Sequence, residues 1–169
     1  PVIFLTKKRM EEMKVYGGDR WEKRLWAIFS VELTPIEKTG HNVVGKIDNG
    51  ASTTIVVGAH YDHLGYGEEG SLYRGEKAIH NGADDNASGV ATLINIAEKL
   101  KKGSARRNNY IIVAFTGEEK GLYGSNNFLK HPPFFLNTFN YMINLDMVGR
   151  LDKEKGMIIN GVGTSPIWT

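Results

Sequence analysis

The sequence predicts an α/β fold: three layers, with a mixed sheet that is parallel at its centre and helices on both faces. Three observations predict it. Residues 53–59, 110–115 and 141–145 are short, nearly continuous apolar runs rich in β-branched residues. Strands of that kind are buried on both faces, as in a sheet covered by helices. Helical patterns lie between the runs, at residues 88–102 and 122–130, and such alternation implies parallel strands joined by crossovers. Each apolar run also ends on a residue suited to chemistry: His60, the pair Glu118-Glu119, and Asp146.

Composition bounds the function. The chain has 169 residues, enough for one domain with a sizeable core. Net charge is +2, with a basic group (Lys99, Lys101, Lys102, Arg106, Arg107) gathered at a helix end and the following loop. That is the pattern of a solvated helix end, so no nucleic-acid partner is expected. No segment approaches the ~20 apolar residues needed to span a bilayer. The chain has no cysteine, which excludes thiol catalysis, cysteine zinc sites and disulfides. It begins at Pro1 without a methionine, so it is expected to be a piece of a longer protein, with any signal peptide outside it.

In chain order, residues 6–13 have a Thr6 cap and read as a short helix, and Tyr16-Gly17-Gly18-Asp19 breaks it. Residues 21–34 are compatible with a strand, and 35–40 with a turn. Residues 43–47 form a strand, and Asp48-Asn49-Gly50 reads as a hairpin turn. The strand ending at His60 leads into a Gly-rich polar loop, residues 64–77, expected to rim the site. The helix at 88–102 has Asn86 and Ser88 as capping residues and Gly103 as its stop. Its apolar positions, Val90, Leu93, Ile94, Ala97 and Leu100, have the spacing of one buried face. The second helix stops before Pro132-Pro133, and residues 157–160 read as one more strand.

The polar residues should converge. His60, Glu118, Glu119 and Asp146 stand at the C-terminal ends of parallel strands, the edge where α/β sheets bind ligands. Asp84 and Asp85 lie in the loop that leads from the first of these strands to its helix. Singly, each has a bland role: a strand-end histidine, a solvated turn, a capping acid at the positive end of a helix. Together on one sheet edge they form a histidine–carboxylate cluster suited to a catalytic divalent metal. Carboxylates can also bridge two metals ~3.5–4 Å apart. Asp62, two residues after His60, is placed to accept a hydrogen bond from the other ring nitrogen of that histidine.

Four segments carry a family resemblance: GAHYDHLG (58–65), HNGADDNASG (80–89), FTGEEKGLYGS (115–125) and NLDMVGR (144–150). In order and spacing they resemble the zinc-dependent exopeptidases of family M28. The resemblance implies that His60 and Asp146 bind one zinc, Asp84 bridges two, and Glu119 binds the second. Glu118 would be the general base, and Asp62 belongs with it among the catalytic residues. The peptide bond between Asp84 and the following Asp85 is often cis in such proteins. Residues 1–13 resemble the end of a protease-associated domain, so 1–20 is expected to be the tail of that domain and 21–169 the N-terminal part of a catalytic domain. The family's last ligand, a histidine well beyond Asp146, has no counterpart; His63 is the nearest substitute. The chain is therefore expected to lack the last part of the sheet and much of the substrate pocket, to bind one metal better than two, and to show little or no aminopeptidase activity on its own.

The implied activity is that of an aminopeptidase. A hydroxide held by two zincs attacks the scissile carbonyl, and Glu118 carries the proton to the leaving amine. Manganese or cobalt would also suit a carboxylate-rich site. The substrate would be a peptide and the setting secreted or periplasmic. Two alternatives remain: a single-zinc acyltransferase of the glutaminyl-cyclase type, and a peptidase-like binding domain without catalysis.

Overall fold

The computed structural model describes residues 6–8, 11, 30, 32–154 and 156–166. The chain divides into two compact units, Pro1–Lys38 and Thr39–Thr169. In the first, Lys7, Lys8 and Glu11 are helical. Most of the expected strand at 21–34 and most of the expected domain tail at 1–20 lie outside the described residues; residues 30 and 32–34, which are described, form no strand.

The second unit is built on a four-stranded sheet. Its strands are β1 (Val43–Ile47), β2 (Thr54–His60), β3 (Asn109–Phe115) and β4 (Phe139–Asn144), in the order β1-β3-β2-β4. β2 runs parallel to β3 and β4, whereas β1 is antiparallel to β3. This is the expected parallel centre with an antiparallel edge. The turn at Asp48-Asn49-Gly50 is tight, with Gly50 at φ 67° and its N–H donating to Asp48 Oδ1. It is not a hairpin turn, however, because β3 lies between the two strands it joins. The Asn109 side chain stitches the connection to the start of β3, accepting from the N–H groups of Asn49 and Ala51 and donating to the Ala51 carbonyl.

The two-residue period of the strands divides the core into two layers. Ile55, Val57, Ala59 and Tyr110 face one side and pack with Leu93 of helix α1 (Gly89–Lys102). Val56, Ile111, Val113 and Phe115 face the other and pack with Phe128 of helix α2 (Tyr123–Lys130). Phe128 meets Phe115 edge-on at 5.8 Å between ring centroids, a favoured aromatic arrangement. α1 buries Leu93 and turns Val90, Ile96 and Leu100 to the core, but Ile94 is 56% exposed. The sequence pattern had Ile94 on the buried stripe, and Ile96 takes that place.

Two further expectations change. β4 is not buried on both faces: as the outer strand it leaves Met142 and Ile143 substantially exposed. Residues 157–160 form no strand and are irregular; Met157, Ile158 and Ile159 are exposed. Among the described residues no helix is long and apolar enough to cross a membrane.

Candidate metal centre

The parallel register sets the site. His60 ends β2 level with Phe115 at the end of β3, and Gly58 pairs with Asn144 at the end of β4. Glu118, Glu119 and Asp146 follow within a few residues, so all leave the same edge. The fourth contribution is the turn Ala83–Ser88, in which Asp85 and Asn86 have non-helical backbone angles. Asn86, 2% exposed, fastens this turn to the β4 end. Its Nδ2 donates to the Leu145 carbonyl, and its Oδ1 accepts from the N–H groups of Gly89 and Met147.

The result is two groups of side chains. His60, Asp85 and Asp146 form one, and His63, Asp85 and Glu119 form the other. His60 Nε2 lies 3.1 Å from Asp85 Oδ1 and 3.5 Å from Asp146 Oδ1. The second oxygen of Asp85, Oδ2, faces His63 Nδ1 at 4.0 Å, and that nitrogen is 2.7 Å from Glu119 Oε1. One carboxylate thus turns an oxygen toward each group.

Asp84, expected to sit between two metals, is not in either group. Its Oδ1 accepts from the Gly149 N–H at 2.8 Å and from the Ser88 hydroxyl at 3.2 Å, and Arg150 lies 3.9 Å from Oδ2. It ties the loop after β4 to the turn before α1. The cis peptide bond also falls one residue later than expected, between Asp85 and Asn86.

Asp62 differs in a second way. His60 Nδ1 is 3.1 Å from the Asp62 backbone carbonyl, while the Asp62 carboxylate is 3.7 Å away. That carboxylate instead accepts from the N–H groups of Glu118 and Glu119, one on each oxygen. It therefore orients the Glu118-Glu119 turn, and its main chain orients the histidine. A carbonyl only accepts, so Nδ1 of His60 carries a proton and Nε2 is the nitrogen left to face Asp85 and Asp146.

Electrostatics follow from crowded acids. Burial opposes charge on His60, but the carboxylates of Glu118, Asp146 and Asp85 and the Asp62 carbonyl outweigh it, so its pKa lies above the ordinary value. Burial raises the Glu118 pKa too; Glu119, Asp146 and Asp62 add to the rise and His60 opposes it. A carboxyl so placed holds a proton more readily than a solvated one, as a proton carrier should.

The donor set fits a divalent cation. Four-coordinate zinc with bonds of ~2.0–2.2 Å separates its donors by roughly 3.3–3.6 Å, close to the spacings around His60 Nε2. Two residues of this arrangement were not assigned from sequence. Asp84 and Asp85 are adjacent letters, and no pattern in the sequence decides which faces the cleft. Asn86 reads as an ordinary helix cap and shows no sign of its link to β4.

The model of peptidase family M28 matches residues 42–169, and the chain belongs to that family. It is 30% identical over 119 residues to a protein of Arthroderma otae named a probable leucine aminopeptidase, covering 68% of this chain and 30% of that one. It is 33% identical over 141 residues to a probable zinc metalloprotease of Pyrenophora tritici-repentis, covering 83% and 29%. Among solved structures it resembles a Zn-dependent exopeptidase from Parabacteroides distasonis (27% identity, TM-score 0.54, 64% of this chain and 41% of the other). It also resembles Porphyromonas gingivalis glutaminyl cyclase (26% identity, TM-score 0.54, 64% and 40%). The chain spans about 30% of the length of the two curated relatives described.

Proposed function

We propose that this chain carries the metal centre of a zinc aminopeptidase that removes N-terminal residues from peptides. The observation that carries the reading is Asp85, whose two oxygens face different ligand groups at 3.1 Å and 4.0 Å. His60 and Asp146 would hold one zinc, Glu119 the other, and Asp85 both. When bound, the zincs supply Lewis acidity toward water and the scissile carbonyl.

The chain's own residues do the rest. The Asp62 carboxylate pins the amides of Glu118 and Glu119, so the two neighbouring side chains keep separate tasks. Glu119 lies in a ligand group, and Glu118 stays clear of both to take a proton from the attacking water. The partly buried Glu118 carboxyl can keep that proton until the leaving amine needs it. His60, fixed through Nδ1, keeps Nε2 directed at the centre. The likeness to a zinc exopeptidase and to relatives named aminopeptidases supports a peptide substrate.

The likeness to a glutaminyl cyclase favours a second reading, acyl transfer with one zinc. A zinc-loaded protein that carries this chain should release the N-terminal residue from amino-acid amides and leave N-terminal glutamine uncyclised. Glu118→Gln should keep its zinc and fold while losing roughly 10²–10⁴-fold in turnover, the usual worth of a positioned proton carrier. Cyclisation without amide hydrolysis would favour the second reading. Near-normal turnover by the Gln variant would remove Glu118 from its role.

A further inference from the structure

We infer that His63 is a positioning residue for Glu119: it donates its Nδ1 proton to one carboxylate oxygen and leaves the other to bind the second metal. The inference rests on the two-metal reading above. His63 belongs to one of the two possible ligand groups, so its task must be decided by geometry.

The Nδ1–Oε1 separation is 2.7 Å. That is the length of a charge-assisted hydrogen bond. It is shorter than the roughly 3.3 Å between two donors on one tetrahedral zinc. An ionised carboxylate only accepts, so the proton lies on Nδ1, which then has no lone pair for a metal. The same nitrogen is 4.0 Å from Asp85, beyond a hydrogen bond. Among the described residues, Nδ1 of His63 therefore hydrogen-bonds Glu119 and not Asp85. Metal-binding carboxylates commonly need such a partner to fix their orientation.

The seat of the ring is also built. Gly82 has φ 60°, and a Cβ there would stand 2.9 Å from His63 Cγ and 2.8 Å from the Asp85 carbonyl oxygen. The turn that delivers Asp85 thus also makes room for the imidazole. The side chain is 21% exposed, enclosed enough to hold one orientation.

The test is zinc titration of the chain and of three variants, together with the His63 tautomer in the zinc-loaded protein from long-range ¹⁵N–¹H NMR correlations. The unaltered chain should take up one zinc tightly and a second more weakly, with Nδ1 of His63 protonated. His63→Ala should weaken only the second zinc, by about 10–100-fold. His63→Asn, whose amide nitrogen replaces Nδ1, should restore most of that loss. His63→Gln, which places its amide where Nε2 was, should not. An Ala variant that binds both zincs normally would overturn the role of His63 alone. So would an unprotonated Nδ1 with an Asn variant as weak as Ala, the signature of a direct ligand. Uptake of a single zinc by the unaltered chain would overturn the two-metal reading and this inference with it.

Discussion

At the scale of single residues, the site depends on which atom of each group is already engaged. His60 has one nitrogen on a carbonyl and the other toward two acids. Without metal, those acids favour its protonated form, and crowding favours protonated Glu118. Both folded pKa values are raised, so the folded state binds more protons than the unfolded one. The resulting stability is present below the ordinary values, 4.5 for Glu118 and 6.5 for His60, and is lost as pH rises through the raised ones. Zinc needs neutral imidazole and ionised carboxylates, so it reverses this dependence. Urea unfolding of chelator-treated protein should show stability falling as pH rises from about 5 to 8, by the linkage sign above. Zinc-loaded protein should show the opposite trend. Parallel trends in the two forms would mean that His60 and Glu118 are not in the metal environment. His60 and Glu118 were legible in the sequence because a strand end fixes their place. The choice between Asp84 and Asp85 was not: it depends on the local path of the Ala83–Ser88 turn, whose angles come from contacts with β4.

At the scale of elements, the turn before α1 and the loop after β4 are held as one cradle. Asn86, Asp84 and Ser88 reach across to Leu145, Met147, Val148 and Gly149. Gly89, the first residue of α1, sits inside it: a Cβ would collide with Asn86 Oδ1 and stand 2.6 Å from the Leu145 carbonyl oxygen. Neither neighbour can yield without losing a hydrogen bond. Gly89→Ala should therefore cost about 1–3 kcal/mol, the usual range for overpacking. It should also weaken zinc at the His60–Asp85–Asp146 group, because both acids are carried by the displaced segments. Denaturant unfolding and zinc affinity should move together; a variant that loses neither would show that the cradle is slack. Strand and helix periodicity made these elements visible in sequence. The order of the strands was not visible, since the turn after β1 has hairpin letters whether or not a third strand intervenes. The exposure of β4 was equally hidden, because its apolar run reads the same at an edge as at a centre.

At the scale of the whole molecule, convergence is the function. His60 comes from β2, Asp85 from the turn before α1, Glu119 from the loop after β3, and Asp146 from the loop after β4. The four residues are well separated in the chain, yet the parallel register brings the strand ends that carry them to one sheet edge. The sequence could state that the residues meet, because α/β sheets gather ligands at that edge. It could not state the meeting point to within one residue. The central claim is that Asp85, and not Asp84, is the carboxylate shared between two metals. Zinc stoichiometry after equilibrium dialysis, measured on the unaltered chain, Asp85→Asn and Asp84→Asn, tests it most directly. Asp84→Asn keeps an oxygen for the Gly149 N–H and should retain both zincs. Asp85→Asn should lose affinity at both positions. Two zincs retained by Asp85→Asn, with loss in Asp84→Asn, would contradict the account.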